Sequence, residues 1–117
     1  MGAKLLADSL KRNASFKDVY ENGKRASDSL LAVYALENRT GSNRLGLSVS
    51  RKVGGAVKRN RLRRVIKENF ALAENGVARG YDIVITARVA AGRLGRGEDF
   101  HEIGKSLRRL FARRGLI

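Results

Sequence analysis

The sequence contains no cysteine and a single histidine. A disulfide framework and a thiolate zinc site are thereby excluded. His101 also has no second imidazole with which to share a metal, so it reads as a surface residue. The first ten residues hold Lys4, Asp8 and only a brief apolar patch, Leu5 to Ala7, which is not the apolar core of a secretion signal. No apolar run approaches the roughly 20 residues that span a bilayer. A cytoplasmic chain with no membrane partner is the expectation. Acids are scarce, with 11 Asp and Glu against 25 Lys and Arg and a formal charge of +14. Cations in that excess repel one another in a compact fold unless a polyanion relieves them, and nucleic acid is the leading candidate. Enzyme signatures are missing as well. No paired carboxylates occur at catalytic spacing, and Gly54-Gly55 precedes a basic helix without the G-x-x-x-x-G-K-[ST] phosphate loop. The expectation is no catalytic residue, no protein-held metal and no small-molecule substrate.

What is present suits one domain over residues 1–117, with residues 1–9 as a flexible N-terminal extension. An apolar share of 43% is enough for a single core. Asn13 is placed to cap a short helix whose apolar face is Phe16, Val19 and Tyr20, and Gly23 sits where a left-handed helix end prefers glycine. From about Arg25 to Leu36 the pattern is extended chain. The polar stretch Asn38 to Asn43 reads as a hairpin turn, leading into a strand in which Leu45, Leu47 and Val49 alternate with small residues. A basic helix over about Val57 to Ala73, a buried strand over Tyr81 to Ala87 and a Gly- and Arg-bearing loop follow. The last helix is expected over Asp99 to Ala112, with Phe100, Ile103, Leu107, Leu110 and Phe111 on one face. The order α-β-β-β-α-β-α predicts a two-layer α/β sandwich of the α+β kind.

The segment Arg51 to Phe70 carries the strongest signal. On a helical wheel Leu62, Val65, Ile66 and Phe70 form an apolar stripe, while Asn60, Arg63, Arg64 and Lys67 project from the other side, flanked by Arg61 and Glu68. Like charges at such spacing cost a few tenths of a kcal/mol per pair, so ordinary surface helices mix signs. Lys58, Arg59 and Arg61 also crowd the helix start, where the dipole favours acids. Helix-start amides beside guanidinium groups make a poor free surface and a good phosphate site. A second candidate surface is aromatic. Phe16, Tyr20 and Tyr34 could stack unpaired bases, or could serve only as the core face of the first helix, and spacing alone favours core.

Four blocks in order resemble the bacterial ribonuclease P protein family. These are Phe16-Lys17-Asp18-Val19-Tyr20 with Gly23-Lys24, then Arg44 to Lys52, then Ala56-Val57-Lys58-Arg59-Asn60-Arg61-Leu62-Arg63-Arg64, which is similar to the family's RNR signature, then Asp82 to Arg88. The resemblance implies a ribosomal protein S5 domain 2-like fold with a left-handed β-α-β crossover. It implies that Lys52, Arg59, Asn60, Arg61 and Arg64 contact the catalytic RNA subunit. Phe16, Tyr20, Tyr34 and Ser48 would line a cleft for the single-stranded 5′ leader of precursor tRNA, with Arg63, Lys67 and Arg88 beside it. The ribonuclease P RNA, with bound Mg²⁺, would then perform the hydrolysis that gives mature tRNA 5′ ends. Lys67 stands where the family pattern leads one to expect arginine, and Val89-Ala90 lacks the proline often found after the last strand. The competing reading is a ribosomal or other structural RNA-binding protein of similar fold.

Overall fold

The sheet is built around the strand that comes last in the sequence. The computed structural model describes residues 5–117; the first part of the expected N-terminal extension, residues 1–4, lies outside the described residues. In chain order the elements are β1 (Asp8–Ser9), α1 (Asn13–Asn22), β2 (Lys24–Ser27), β3 (Leu31–Glu37), β4 (Arg44–Ser48), α2 (Ala56–Ala73), β5 (Tyr81–Ala87) and α3 (Asp99–Arg113). Short 3-10 turns follow α2 and β5, at Glu74–Gly76 and Val89–Arg93. The five strands lie in the order β1-β4-β5-β3-β2. β5 is the central strand, parallel to β4 and antiparallel to β3. β1 pairs with β4 through Asp8 and Ser9 at the edge, inside the segment expected as an extension.

Strand alternation sorts side chains onto two faces. Leu31, Val33, Ala35, Leu45, Ile83 and Ile85 point to one face, where α2 and α3 bury Leu62, Ile66, Phe70, Ile103, Leu107 and Phe111 against them. Phe70 and Phe111 meet edge-on across the two helices, ring centroids 5.9 Å apart. The other face carries a smaller cluster of Leu10, Val19 and Val84, with Phe16, Tyr34 and Leu36 packed against it. α1 is the only helix on that side among the described residues, and it leaves the upper part of the face open.

Four local expectations are corrected. The loop Asn38 to Asn43 is not a hairpin, because β5 lies between the strands it joins. It arches over the start of β5 instead, where the Asn43 side chain donates to the Ala78 carbonyl and accepts from the Tyr81 amide, and the Asn38 side-chain amide donates to the Asp82 carboxylate and the Ser42 carbonyl. The true hairpin joins β2 to β3 within what reads as one extended stretch. Asp28 makes it, its carboxylate accepting from the Leu30 and Leu31 amides at 2.9 and 3.0 Å. Asn13 does not cap α1, since Arg12 holds the cap position without any side-chain bond. Gly23 is extended, with φ −78°, not left-handed. It is needed for close approach, because a Cβ there would lie 2.5 Å from the Val19 carbonyl oxygen. Phe100 leaves the apolar stripe of α3 and is 40% exposed. It has α2 beside it, where the Asn69 amide donates to its carbonyl.

Candidate nucleic-acid interface

α2 forms because a run free of Gly and Pro and rich in Ala, Leu, Arg and Lys carries the stripe Leu62, Val65, Ile66 and Phe70, all buried. Burial of that stripe fixes the helix's rotation, which turns Asn60, Arg63, Arg64 and Lys67 to solvent. Gly55 precedes the helix without a side-chain cap, and no acid stands in the first turn. The start of the helix opens onto a concavity of about 810 Å³ lined by Gly55, Val57, Lys58, Asn60, Arg61, Arg64 and Arg96. Val57 lies on its wall 84% exposed.

The five residues expected to contact the catalytic RNA differ in what they touch within the protein. Lys52 is exposed in the turn after β4. Arg59 donates to the Gly54 carbonyl at 2.9 Å, which closes the turn onto the helix. Asn60 accepts from Arg63 at 3.2 Å. Arg61 is committed within the protein. Its guanidinium grips the buried Asp99 through two bonds of 2.8 and 3.0 Å and also donates to the Arg96 carbonyl. The Arg61 hydrogen bonds hold the Asp99 carboxyl below its ordinary pKa, against the opposing effect of burial. Arg64 has neither hydrogen bond nor ion pair among the described residues, and its charge is open to a phosphate.

The aromatic site lies on the other face of the sheet. α1 places Phe16 and Tyr20 one turn apart, with centroids 6.4 Å apart. Tyr34 projects from β3 and meets Tyr20 edge to face at 4.8 Å. Phe16 lies on Gly46, where a Cβ would come 2.5 Å from the ring. In register, Gly46, Val84 and Tyr34 form one row across the sheet, and Ser48, Thr86 and Ala32 form the next. The Tyr20 hydroxyl is 3.3 Å from Thr86 Oγ1. Packing against the sheet and partial exposure therefore coexist in this ring cluster. Phe16 and Tyr34 are half-buried against Val84, Tyr20 is 38% exposed, and Ser48 and Thr86 beside them are only partly buried, which leaves a shallow trough along this part of the sheet face. Arg88 follows Thr86 on the same side by alternation and donates to the Asp28 carbonyl at 2.9 Å. No hydrogen bond or cation–π contact joins Arg63 or Lys67 to the three rings, because α2 packs on the opposite face.

Sequence reasoning missed several partners. Asp99 reads only as a dipole-suited helix start, and nothing in its spacing discloses Arg61 38 residues away. Arg44 and Asp82 fall within matching motif blocks, yet their pairing follows only from register. The two side chains make bonds of 2.7 and 2.6 Å between β4 and β5. Arg25 and Thr86, which tie down the two tyrosine hydroxyls, carried no signal beyond being polar on a strand. Among the described residues no three His, Asp or Glu converge as a metal site, and no helix is long and apolar enough to cross a membrane.

Comparison with known proteins bears on the family and the fold. The family model for ribonuclease P matches residues 7–115. The ribonuclease P protein component of Clostridium kluyveri is 45% identical over 109 residues, covering 92% of this chain and 94% of that protein. That of Clostridioides difficile is 41% identical over 105 residues, covering 89% of each. Among solved structures, the RNase P protein of Staphylococcus aureus superposes with a TM-score of 0.84 at 32% identity, covering 94% of this chain and 97% of that one. The Thermotoga maritima protein gives 0.82 at 28% identity, covering 91% and 96%. The sheet, the three helices and the sequence all match over nearly the full length, and the chain belongs to the ribonuclease P protein family.

Proposed function

We propose that this chain is the protein component of ribonuclease P, that it binds the catalytic RNA through α2, and that it holds the 5′ leader of precursor tRNA in the trough beside α1. The observation that carries the reading is the division of the sheet's two faces. One side presents a helix whose outer charges are almost all positive. The other presents Tyr20 and Tyr34 edge to face beside a trough that no helix among the described residues covers. Phosphates of a folded RNA suit the first surface, since Arg64, Lys52 and the α2 start offer charge and amides without demanding a base sequence. An unpaired strand suits the second, where a base can stack on a ring and Ser48 and Thr86 can take polar contacts.

In this reading the RNA partner holds the Mg²⁺ that hydrolysis requires, and the chain supplies no catalytic group. Its contribution is affinity for the leader and neutralisation of RNA charge near the scissile bond. The test is reconstitution. Added to a bacterial ribonuclease P RNA at low Mg²⁺ and moderate salt, the protein is expected to restore removal of the leader from precursor tRNA. Absence of stimulation would refute the assignment. Tyr34→Ala is expected to weaken precursor tRNA more than mature tRNA, by about 1–3 kcal/mol if a base stacks there.

A further inference from the structure

The trough has an end wall outside the set of residues assigned above. Arg25 lies on β2, the edge strand, directly opposite Tyr34 in register. Its Nε donates to the Tyr34 hydroxyl at 3.1 Å, and its guanidinium carbon is 5.7 Å from the ring centroid. Arg25 is exposed, and no carboxylate pairs with it among the described residues. With Nε engaged, the outer pair of guanidinium nitrogens has no partner within the protein among the described residues. Tyr34 is at the same time the edge-to-face partner of Tyr20, whose own hydroxyl lies against Thr86. The two rings are thus tied at both ends of the pair, Tyr34 toward β2 and Tyr20 toward β5. Rings held this way lose little further freedom when a base stacks on them.

We infer that Arg25 is a further leader-binding residue, fixing the Tyr34 ring through its hydroxyl and taking a leader phosphate on its free guanidinium nitrogens where the strand passes over the β2 edge. The inference rests on the leader-binding reading of the trough. From β4 to β2 is three inter-strand steps, about 14 Å, and Arg25 is the cation on that far side that touches a ring of the trough. An arginine on an edge strand also discourages pairing with other sheets. That role has no use for the tyrosine bond, whereas a planar guanidinium can hold a hydroxyl and a phosphate together.

The experiment uses the holoenzyme reconstituted with a bacterial ribonuclease P RNA. Its affinity is measured for mature tRNA and for precursor tRNAs whose leaders lengthen one nucleotide at a time. Arg25→Ala is expected to weaken long-leader substrates about 5- to 10-fold, the size of one ordinary net hydrogen bond at an exposed site. Mature tRNA and the shortest leader should change less than about twofold. The salt slope for long leaders should fall by about 0.7. Arg25→Lys should recover most of the slope, since it restores the charge. Tyr34→Phe, which keeps the ring and deletes the hydroxyl, should show a smaller loss that is not additive with Arg25→Ala. Equal losses for mature and precursor tRNA would overturn the inference. So would unchanged long-leader binding in Arg25→Ala while Tyr34→Ala lowers it, a result that leaves the leader reading standing. If Tyr34→Ala is also without leader dependence, both readings fall.

Discussion

Arg61 and Arg64 lie one turn apart on the same basic helix, and the fold uses them differently. Arg61 is the partner of a buried carboxylate, while Arg64 faces solvent alone. Replacing Arg64 with alanine is therefore expected to weaken binding of ribonuclease P RNA and to leave stability within about 0.5 kcal/mol. Arg61→Ala should reduce both, because Asp99 is left buried without its cation. Filter binding and thermal unfolding of the free protein separate the two cases. A loss of RNA affinity in Arg61→Ala is thus no proof of contact unless the melting temperature is also measured. Acid adds a second readout. Asp99 is held low by Arg61; in Asp82 and Asp28 burial acts upward, and hydrogen bonds from Arg44 and Asn38, and from Ser106 and the Leu31 and Leu30 amides, outweigh it. Carboxyls depressed in the folded state contribute stability that is complete above their unfolded value, about 3.9. That stability disappears as pH falls through the lower folded values. Urea midpoints should hold from pH 7 to 5 and drop below about pH 4, and the gap between wild type and Asp99→Asn should narrow toward pH 3.

At the scale of elements, the placement of α1 depends on an absent side chain. Phe16 rests on Gly46 of β4, so Gly46→Ala must push the ring away or lift the helix. A cost of about 1–3 kcal/mol in urea unfolding is expected, with partial recovery when Phe16 is shortened to leucine in the same chain. If Gly46→Ala is neutral, the ring does not hold α1 in place. The helices and β5 were legible because their signals are local. The stripe of α2 and the β-branched run Ile83 to Thr86 sit where pattern puts them, with β5 matching at both ends. Strand partners were not legible, because pairing is a long-range fact that alternation leaves open. Asn38 to Asn43 has the composition of a hairpin turn and the job of a bridge over β5. Asp28, by contrast, gave no turn signal that places the break between β2 and β3, although three strands between α1 and α2 are as expected. Phe16 and Tyr20 show why spacing could not separate core from candidate site: the same i, i+4 pair packs Phe16 against the sheet and leaves Tyr20 partly exposed.

Over the whole molecule, the charge of +14 makes two salt dependences run in opposite directions. Self-repulsion of the free protein is screened by added salt, so its melting temperature should rise between about 50 and 300 mM NaCl. Binding to RNA should weaken over the same range, its logarithmic slope counting the phosphates released at about 0.7–0.9 each. A free protein that salt destabilises would mean that specific ion pairs, not net charge, dominate its electrostatics. Only three ion pairs occur among the described residues, those of Arg44, Arg61 and Arg109, which is too few to reverse the sign.

The central position of β5 has a further consequence for how the chain comes to be folded. β3 and β4 are made first, yet each reaches the other only through a strand that follows an 18-residue helix. During synthesis a slot has to stay open between them, and the cationic helix is finished before the sheet that will carry it exists. Such late, long-range closure should slow folding, and a single small domain of this kind should fold as one cooperative unit. A fragment ending at residue 80 should therefore unfold without a cooperative transition, although it contains most of the proposed RNA-binding side chains.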